Sequence, residues 1–338
     1  FAALARGAWD GMAALGLSGT LVPEAFGGAG LGYRESVQMS EMMGRSLATG
    51  PFLSTAVMAA TAIAHADNDR LQRELLPRIA AGETVVALAA EEQPRHRPLA
   101  IEMRARREGG GYRLSGRKLA AIDGNIADGF IVAARDADAP DRLLLLRVEN
   151  RPVIAATVHM GVDSQPLVDL DFTDAAAGHD DLICAPEHSA ALLDRIHDAG
   201  RVHLAAEMLG LAQEAFDRTV EHLKTRVQFG RRIGEFQALQ HRAAILFGEL
   251  EIARSVVLKA ATLHDDGDAR FPAFASLAKA KVGEVAKKAT TEACHLHGGM
   301  GMTDDLDLGF YLKRVRACAE RLGDTVFNLE RYAGFQGL

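Results

Sequence analysis

Cysteine is scarce. Cys184, Cys294 and Cys318 stand far apart in a chain of 338 residues. An odd, scattered set excludes a disulfide framework and fits a reducing compartment, so a cytoplasmic setting is expected. Long apolar runs are missing as well. None approaches the roughly 20 residues that cross a bilayer, and no signal peptide is visible. The chain opens on Phe1 rather than Met, and its natural N-terminus is expected upstream. Positive charge is outnumbered, with 38 Lys and Arg against 45 Asp and Glu and a formal net charge of -7. That balance argues against a nucleic-acid partner, which needs a basic face. It leaves small anions open as ligands, because local charge can oppose the total.

Apolar residues are plentiful at 48%, enough to build two or three domains or one large α/β unit. Residues 1–83 read as helices between Gly-rich turns. "YRESVQMSEMMGRSLA", "FLSTAVMAATAIAHA" and "DRLQRELLPRIAAGE" are rich in good helix formers, whereas "LGLSGTLVPEAFGGAGLG" is a loop by composition. The texture changes at Thr84. Ile101, Met103 and Ala105 before "GGG", with Tyr112 and Leu114 after it, alternate with polar residues and predict a hairpin. "TVVALAA", "GFIVAAR", "RLLLLRV" and "PLVDLDF" add short apolar runs, so 84–187 is expected to be a β domain. From 188 to 338 the period is helical. Leu193, Ile196, Ala199, Val202, Ala206 and Leu209 recur at steps of three or four. Leu239, Ala243, Leu246, Leu250, Ala253, Val257 and Ala260 keep a strict four-three rhythm, the mark of a long helix lying nearly parallel to its neighbours in a bundle. A further helix is expected to open at Pro272 and stop at Gly298–Gly299, and a last pair to flank Gly323–Asp324.

Three stretches carry candidate chemistry. "HLHGGMGMT" (295–303) is Gly-rich, but a helix runs into it where a nicotinamide fingerprint needs a strand before and a helix after. It reads either as a Gly-terminated helix end or as bare backbone that a ligand approaches closely. "EACH", Glu292 to His295, is a Glu-x-x-His. A di-iron site needs a second such motif and two more glutamates, and no second one stands on a bundle helix, so no metal is expected. "RVQFGRRIGEFQ" reads either as a solvated helix end or as an anion site, with Arg226 the charged donor and Gln237 a nearby amide.

Arg-x-x-Phe-Gly with a downstream Gln, followed some sixty residues later by Gly-Gly-x-Gly, resembles the acyl-CoA dehydrogenase family. "LVPEAFGGAGLG" and "YRLSGRKLAAIDGNIADGFIVAAR" extend the likeness over essentially the whole chain. "AAEMLG", "LKTRVQFG" and the Gly-Asp near the end look most like the small subunits of bacterial heteromeric members such as pimeloyl-CoA dehydrogenase. The resemblance implies an α+β fold with a helical N-terminal domain, a middle β-barrel domain and a C-terminal four-helix bundle. It implies FAD held where two subunits meet, with Arg226, Phe229 and Gln237 serving the neighbouring subunit's cofactor. Gly298, Gly299 and Gly301 match the loop against which the adenine side of FAD lies. His295 stands where a glutamine is common, and Thr325 matches a threonine that touches FAD. The implied reaction is α,β-desaturation of an acyl-CoA thioester. The implied assembly is a homodimer, a tetramer, or a heterotetramer with a catalytic subunit, and the implied acceptor is an electron-transfer flavoprotein.

The pattern also departs from the family. Gly323 occupies the usual position of the catalytic glutamate, and Gly200, before Arg201, occupies the alternative one. Asp324 is the nearest substitute, though Asp before Thr-Val-Phe is also good helix-capping chemistry. Glu207 shares a helical face with Gly200 and is a weaker candidate. Ala90-Glu91-Glu92 replaces Thr-Glu-Pro, and Ala120-Ala121-Ile122 replaces a flavin-lining Trp-x-Thr. A silent subunit that completes the FAD site of a glutamate-bearing partner is therefore the alternative to an active chain.

Overall fold

The computed structural model describes residues 2–338. Four helices precede the strands: α1 (Ala2–Ala14), α2 (Tyr33–Ser46), α3 (Ala60–Ala64, continuing a π-helical stretch Phe52–Ala59) and α4 (Asp69–Ala80). Seven strands follow: β1 (Val86–Ala89), β2 (Arg104–Glu108), β3 (Gly111–Ile122), β4 (Gly129–Asp136), β5 (Leu143–Glu149), β6 (Ile154–Met160) and β7 (Pro166–Gly178). The remainder is helical: α5 (Pro186–Thr225), α6 (Gln237–Asp265), α7 (Phe271–Leu296), α8 (Leu308–Glu320) and α9 (Thr325–Phe335), with a small hairpin β8 (Val227–Gln228) and β9 (Arg231–Arg232) between α5 and α6. The chain thus has a helical N-terminal region, a middle sheet and a helical C-terminal region. By compactness it divides into two units, residues 1–32 with 49–200 and residues 33–48 with 201–338. These cuts differ from the 1–83, 84–187 and 188–338 divisions, which follow element type.

In the first unit the sheet runs β1-β4-β2-β3-β7-β6, with β5 paired to β4, and its path does not close on itself. The "GGG" turn joins β2 to β3, with Gly109 at φ 59° and Gly110 at φ 82°, the two positive values a tight hairpin demands. Along β7, Pro166, Val168, Leu170 and Phe172 turn inward and alternate with half-buried positions. β6 escapes the sequence reading for a physical reason. Only Ile154 of its seven residues is buried, so no alternation is written into it.

In the second unit α7 lies against α6, α8 and α9. Its buried face is largely Ala273, Ala275, Ala278, Ala280, Gly283, Ala286, Ala289 and Ala293, and small side chains let neighbouring helices approach. The four-three stripe of α6 is buried at Leu246, Leu250, Ala253, Val257 and Ala260, while Leu239 and Ala243 are half-buried. Asp265 caps α2, accepting from Tyr33 N at 2.7 Å and Arg34 N at 2.9 Å. The crossing of α2 with α5 explains the glycine of "AAEMLG". A Cβ at Gly210 would lie 1.9 Å from Glu41 O, and one at Gly44 would lie 2.1 Å from Glu207 O. Gly210→Ala is therefore expected to destabilise the fold by about 1–3 kcal/mol through overpacking against backbone. A chemical-denaturation midpoint equal to wild type would refute this.

Candidate functional site

The Phe-Gly break is a hairpin turn. α5 ends at Thr225, Arg226 N donates to His222 O at 2.9 Å, and Ile233 N returns to Arg226 O at 2.9 Å. Between them β8 and β9 pair, and the two turn residues Phe229 and Gly230 take φ 55° and 79°. A two-residue turn of this kind requires positive φ at both positions. Gly230 adopts it freely, whereas Phe229 does so at a steric cost. Nor is the Phe229 ring inserted into the chain's own core, for it is 91% exposed. It meets Phe236 edge-on at 6.2 Å, and Arg231 lies over the Phe236 ring at 4.1 Å. Arg226 is exposed at the hairpin's base, and Gln237 is exposed as the first residue of α6. A strained, outward-facing aromatic beside exposed cations points to a partner molecule or ligand.

The Gly-rich turn sits beside this hairpin. α7 stops at Leu296, His297 caps it, and Gly298 follows with φ 63°, a left-handed helix end. At Gly301 a Cβ would stand 2.2 Å from Cys294 O. The fold itself thus demands glycine at 301 and favours it at 298. At Gly299 nothing lies within 4 Å and φ is not in the positive region, so the chain's own packing does not require its bareness; close approach by a ligand would. The link to Arg226 runs through His222, whose ring stacks on His297 with centroids 4.1 Å apart. Burial, then the His297 and Arg226 charges, hold His222 below the usual imidazole range. A depressed histidine contributes stability that is present above its unfolded pKa, about 6.5, and is lost as pH falls below it. Hairpin amides are therefore expected to lose hydrogen-exchange protection as pH falls below about 6.5, with His222 titrating below that value by NMR and His222→Gln flattening the trend. A His222 midpoint at or above 6.5 would rule this out.

His295 is exposed on the last turn of α7. Arg242 of α6 bonds Glu292 through Nε at 2.8 Å and Nη2 at 2.5 Å, and its Nη2 lies 2.9 Å from His295 Nδ1. The Glu-x-x-His motif thus serves an arginine of the facing helix.

The other candidates gather at the far stretch of α7. Gly323 has φ 95°, and a Cβ there would lie 2.3 Å from Phe327 Cδ1 and 3.0 Å from Asn328 Nδ2. Buried donors fix the loop around it. Lys279 Nζ donates to Ala319 O at 2.9 Å and Gly323 O at 3.2 Å, Arg201 Nε to Leu322 O at 3.2 Å, and Asn328 Nδ2 to Gly323 O and Asp324 O at 2.9 Å each. Complete burial brings the Lys279 ammonium down to about 7, yet either protonation state keeps enough N–H to serve both carbonyls. Asp324 caps α9, accepting from Phe327 N at 2.8 Å. Thr325 opens that helix, its Oγ1 3.5 Å from where Gly283 would carry a Cβ. Gly200 is a buried residue inside α5. Glu207, with 13% of its side chain exposed, pairs with Arg314 at 2.7 Å.

In the first unit the departures from Thr-Glu-Pro are engaged internally. Glu92 accepts from buried Lys118 at 2.5 Å and from Glu102 N at 2.6 Å, while Glu91 meets His96 Nδ1 at 2.5 Å. Sequence reasoning missed His222, Arg242 and Lys279. Arg242 stands in the helical run after Gln237, but arginine is itself a good helix former and nothing in the sequence named its partner.

The structure thus sets Arg226 and the Gly298–Gly301 turn on either side of the His222–His297 stack, with His295 one turn away, Phe229 at the exposed tip of the adjoining hairpin and Gln237 at the start of α6. It sets Thr325 apart, because Gly283 and Leu296 are about 20 Å apart at 1.5 Å per helical residue. Two family models match the chain: acyl-CoA dehydrogenase, N-terminal domain, over residues 2–83, and acyl-CoA dehydrogenase, C-terminal domain, over residues 193–326. A 3-sulfinopropanoyl-CoA desulfinase of Paraburkholderia xenovorans is 32% identical over 89% of this chain and 80% of its own. A cyclohex-1-ene-1-carbonyl-CoA dehydrogenase of Geobacter metallireducens is 30% identical over 86% of this chain and 79% of its own. Among solved structures, a Tcur3481–Tcur3483 steroid ACAD superposes with TM-score 0.88 at 30% identity, covering 99% of this chain and 90% of that one.

Proposed function

Because the chain belongs to the acyl-CoA dehydrogenase family, we propose that it works as one subunit of an FAD-dependent acyl-CoA dehydrogenase whose cofactor sites are shared between chains. The observation that carries this is the division of the candidate residues. Arg226, Phe229, Gln237 and the Gly-rich turn face outward at one end of α7, while Thr325 lies about 20 Å along that helix. A chain built this way offers half of one cofactor site and half of another.

The residues suit FAD. Arg226 offers a charge-assisted donor to the diphosphate and Gln237 an amide donor. Gly299 leaves backbone bare for close approach. The flavin, when bound, supplies the hydride acceptor for α,β-desaturation. The protein orients the thioester and, in an active assembly, removes the α-proton with a carboxylate. This chain offers no carboxylate at Gly323 or Gly200, and Asp324 is committed to capping α9. A glutamate-bearing partner subunit is therefore proposed to hold the base, with an electron-transfer flavoprotein as acceptor. No helix among the described residues is long and apolar enough to cross a membrane.

The test is to purify the chain alone and after co-expression with a neighbouring dehydrogenase gene, then measure bound FAD and sedimentation. FAD retained only in dimers or larger assemblies supports the reading. A stable, FAD-loaded monomer at micromolar concentration would sink it. The substrate panel includes 3-sulfinopropanoyl-CoA, since a relative is named for its desulfination. Sulfite release without acceptor reduction would replace desaturation by carbon–sulfur cleavage.

A further inference from the structure

We infer that Arg242, anchored by Glu292, is a positioning residue that sets the tautomer of His295, so that this imidazole presents Nε2–H as a donor to an oxygen of the bound cofactor. The inference rests on the FAD reading above and adds a residue pair to it.

The argument begins with donor and acceptor counts. A guanidinium has five N–H donors and no acceptor. Arg242 Nη2 lies 2.9 Å from His295 Nδ1. Two donors cannot share that line, so Nδ1 carries the lone pair and the ring proton resides on Nε2. The arginine is not free to swing away, for both its Nε and Nη2 are held by Glu292 Oε2 at 2.8 and 2.5 Å. Glu292 and His295 stand three residues apart on α7, on one helical face, so a single arginine reaching across from α6 addresses both. The glutamate also offsets the arginine's charge, so the pair adds no net charge beside the ring.

The sequence context gives this geometry a purpose. His295 is exposed and stands three residues before Gly298 of the bare turn. Family members commonly carry a glutamine here. A glutamine amide always has an N–H to offer, whereas a neutral histidine offers one at Nε2 in only one of its two tautomers. Arg242 supplies what the substitution would otherwise lose. Histidine at 295 and arginine at 242 form one functional unit.

The experiment uses the full chain with 15N-labelled histidine. Long-range 1H–15N spectra of the apo protein are expected to show His295 protonated at Nε2, and Arg242→Met to show a mixture of tautomers. FAD affinity is then followed by flavin fluorescence in wild type, Arg242→Met, His295→Gln and the double variant. Arg242→Met is expected to weaken binding about tenfold. In the His295→Gln background, adding Arg242→Met should change FAD affinity little, because glutamine needs no tautomer set. An Nδ1–H tautomer in wild type overturns the inference, as does equal weakening by Arg242→Met in both backgrounds, which would make Arg242 a direct or merely structural contact. Should Arg242→Met unfold the chain, Arg242→Lys keeps a donor near Nδ1 and is expected to preserve the Nε2–H tautomer; a mixed population there also overturns it. Failure of wild type to bind FAD in any assembly sinks the cofactor reading, and the apo spectra then still decide whether Arg242 sets the tautomer.

Discussion

Arg226→Ala is expected to strip the assembled protein of FAD while leaving its fold unchanged. The side chain is exposed at the base of a hairpin whose own hydrogen bonds are backbone to backbone, Arg226 N to His222 O and Ile233 N to Arg226 O. Truncation therefore leaves the hairpin's own hydrogen bonds in place. What it removes, on the proposed reading, is a charge-assisted bond to an anionic diphosphate, about 1.5 to 3 kcal/mol, or roughly 10- to 150-fold in affinity. Gln237→Ala should cost less, since a neutral amide donor contributes about 0.5 to 1.5 kcal/mol. The measurement is FAD retained after dialysis, with circular dichroism as the control for folding. Undiminished FAD in Arg226→Ala would leave the exposed hairpin without its proposed ligand.

The second large effect concerns the base. The chain alone is expected to oxidise acyl-CoA about 10²- to 10⁴-fold more slowly than its assembly with a glutamate-bearing partner, the usual cost of a missing general base. Asp324→Asn is expected to leave that residual rate nearly unchanged, since asparagine caps a helix about as well as aspartate. Gly323→Glu is expected not to restore activity, although it places there the glutamate that the family resemblance implies. At φ 95° a side chain is strained, and its Cβ would meet the Phe327 ring at 2.3 Å. Strain of that kind costs about 1–3 kcal/mol and overpacking a similar amount. Lys279, Arg201 and Asn328 hold the loop in this shape from three sides, so it cannot relax without breaking buried hydrogen bonds. Assays with an artificial electron acceptor and a panel of acyl-CoAs decide the matter. Brisk turnover by the lone chain, abolished in Asp324→Asn with FAD still bound, would make Asp324 the base and remove the need for a partner.

Much of this molecule is written locally, and the local part was legible. The helical period from Leu193 onward became α5, Pro272 and Gly298 bracket α7, and Asp324 caps α9, because period and end chemistry involve residues within a few positions of each other. The Phe229–Gly230 break was visible as a break. Its being a two-residue turn with both φ positive, and its pointing Phe229 outward, came only with coordinates. β6 was illegible because six of its seven residues are exposed, and hydrogen bonds to β7 leave no mark on residue type. The glycine of "AAEMLG" could be read as a motif but not explained until α2 was found against it. The site divides in the same way. Arg226, Gln237 and the Gly-rich turn announce themselves by residue type and spacing. The stack of His222 on His297, the hold of Arg242 on Glu292 and His295, and the seat of Lys279 beneath Gly323 join residues 40 to 75 positions apart. No periodicity encodes such pairings. They follow from which helix lies against which, and burial and hydrogen-bond geometry then decide whether a histidine is neutral, which nitrogen holds its proton, and whether a glycine can be anything else.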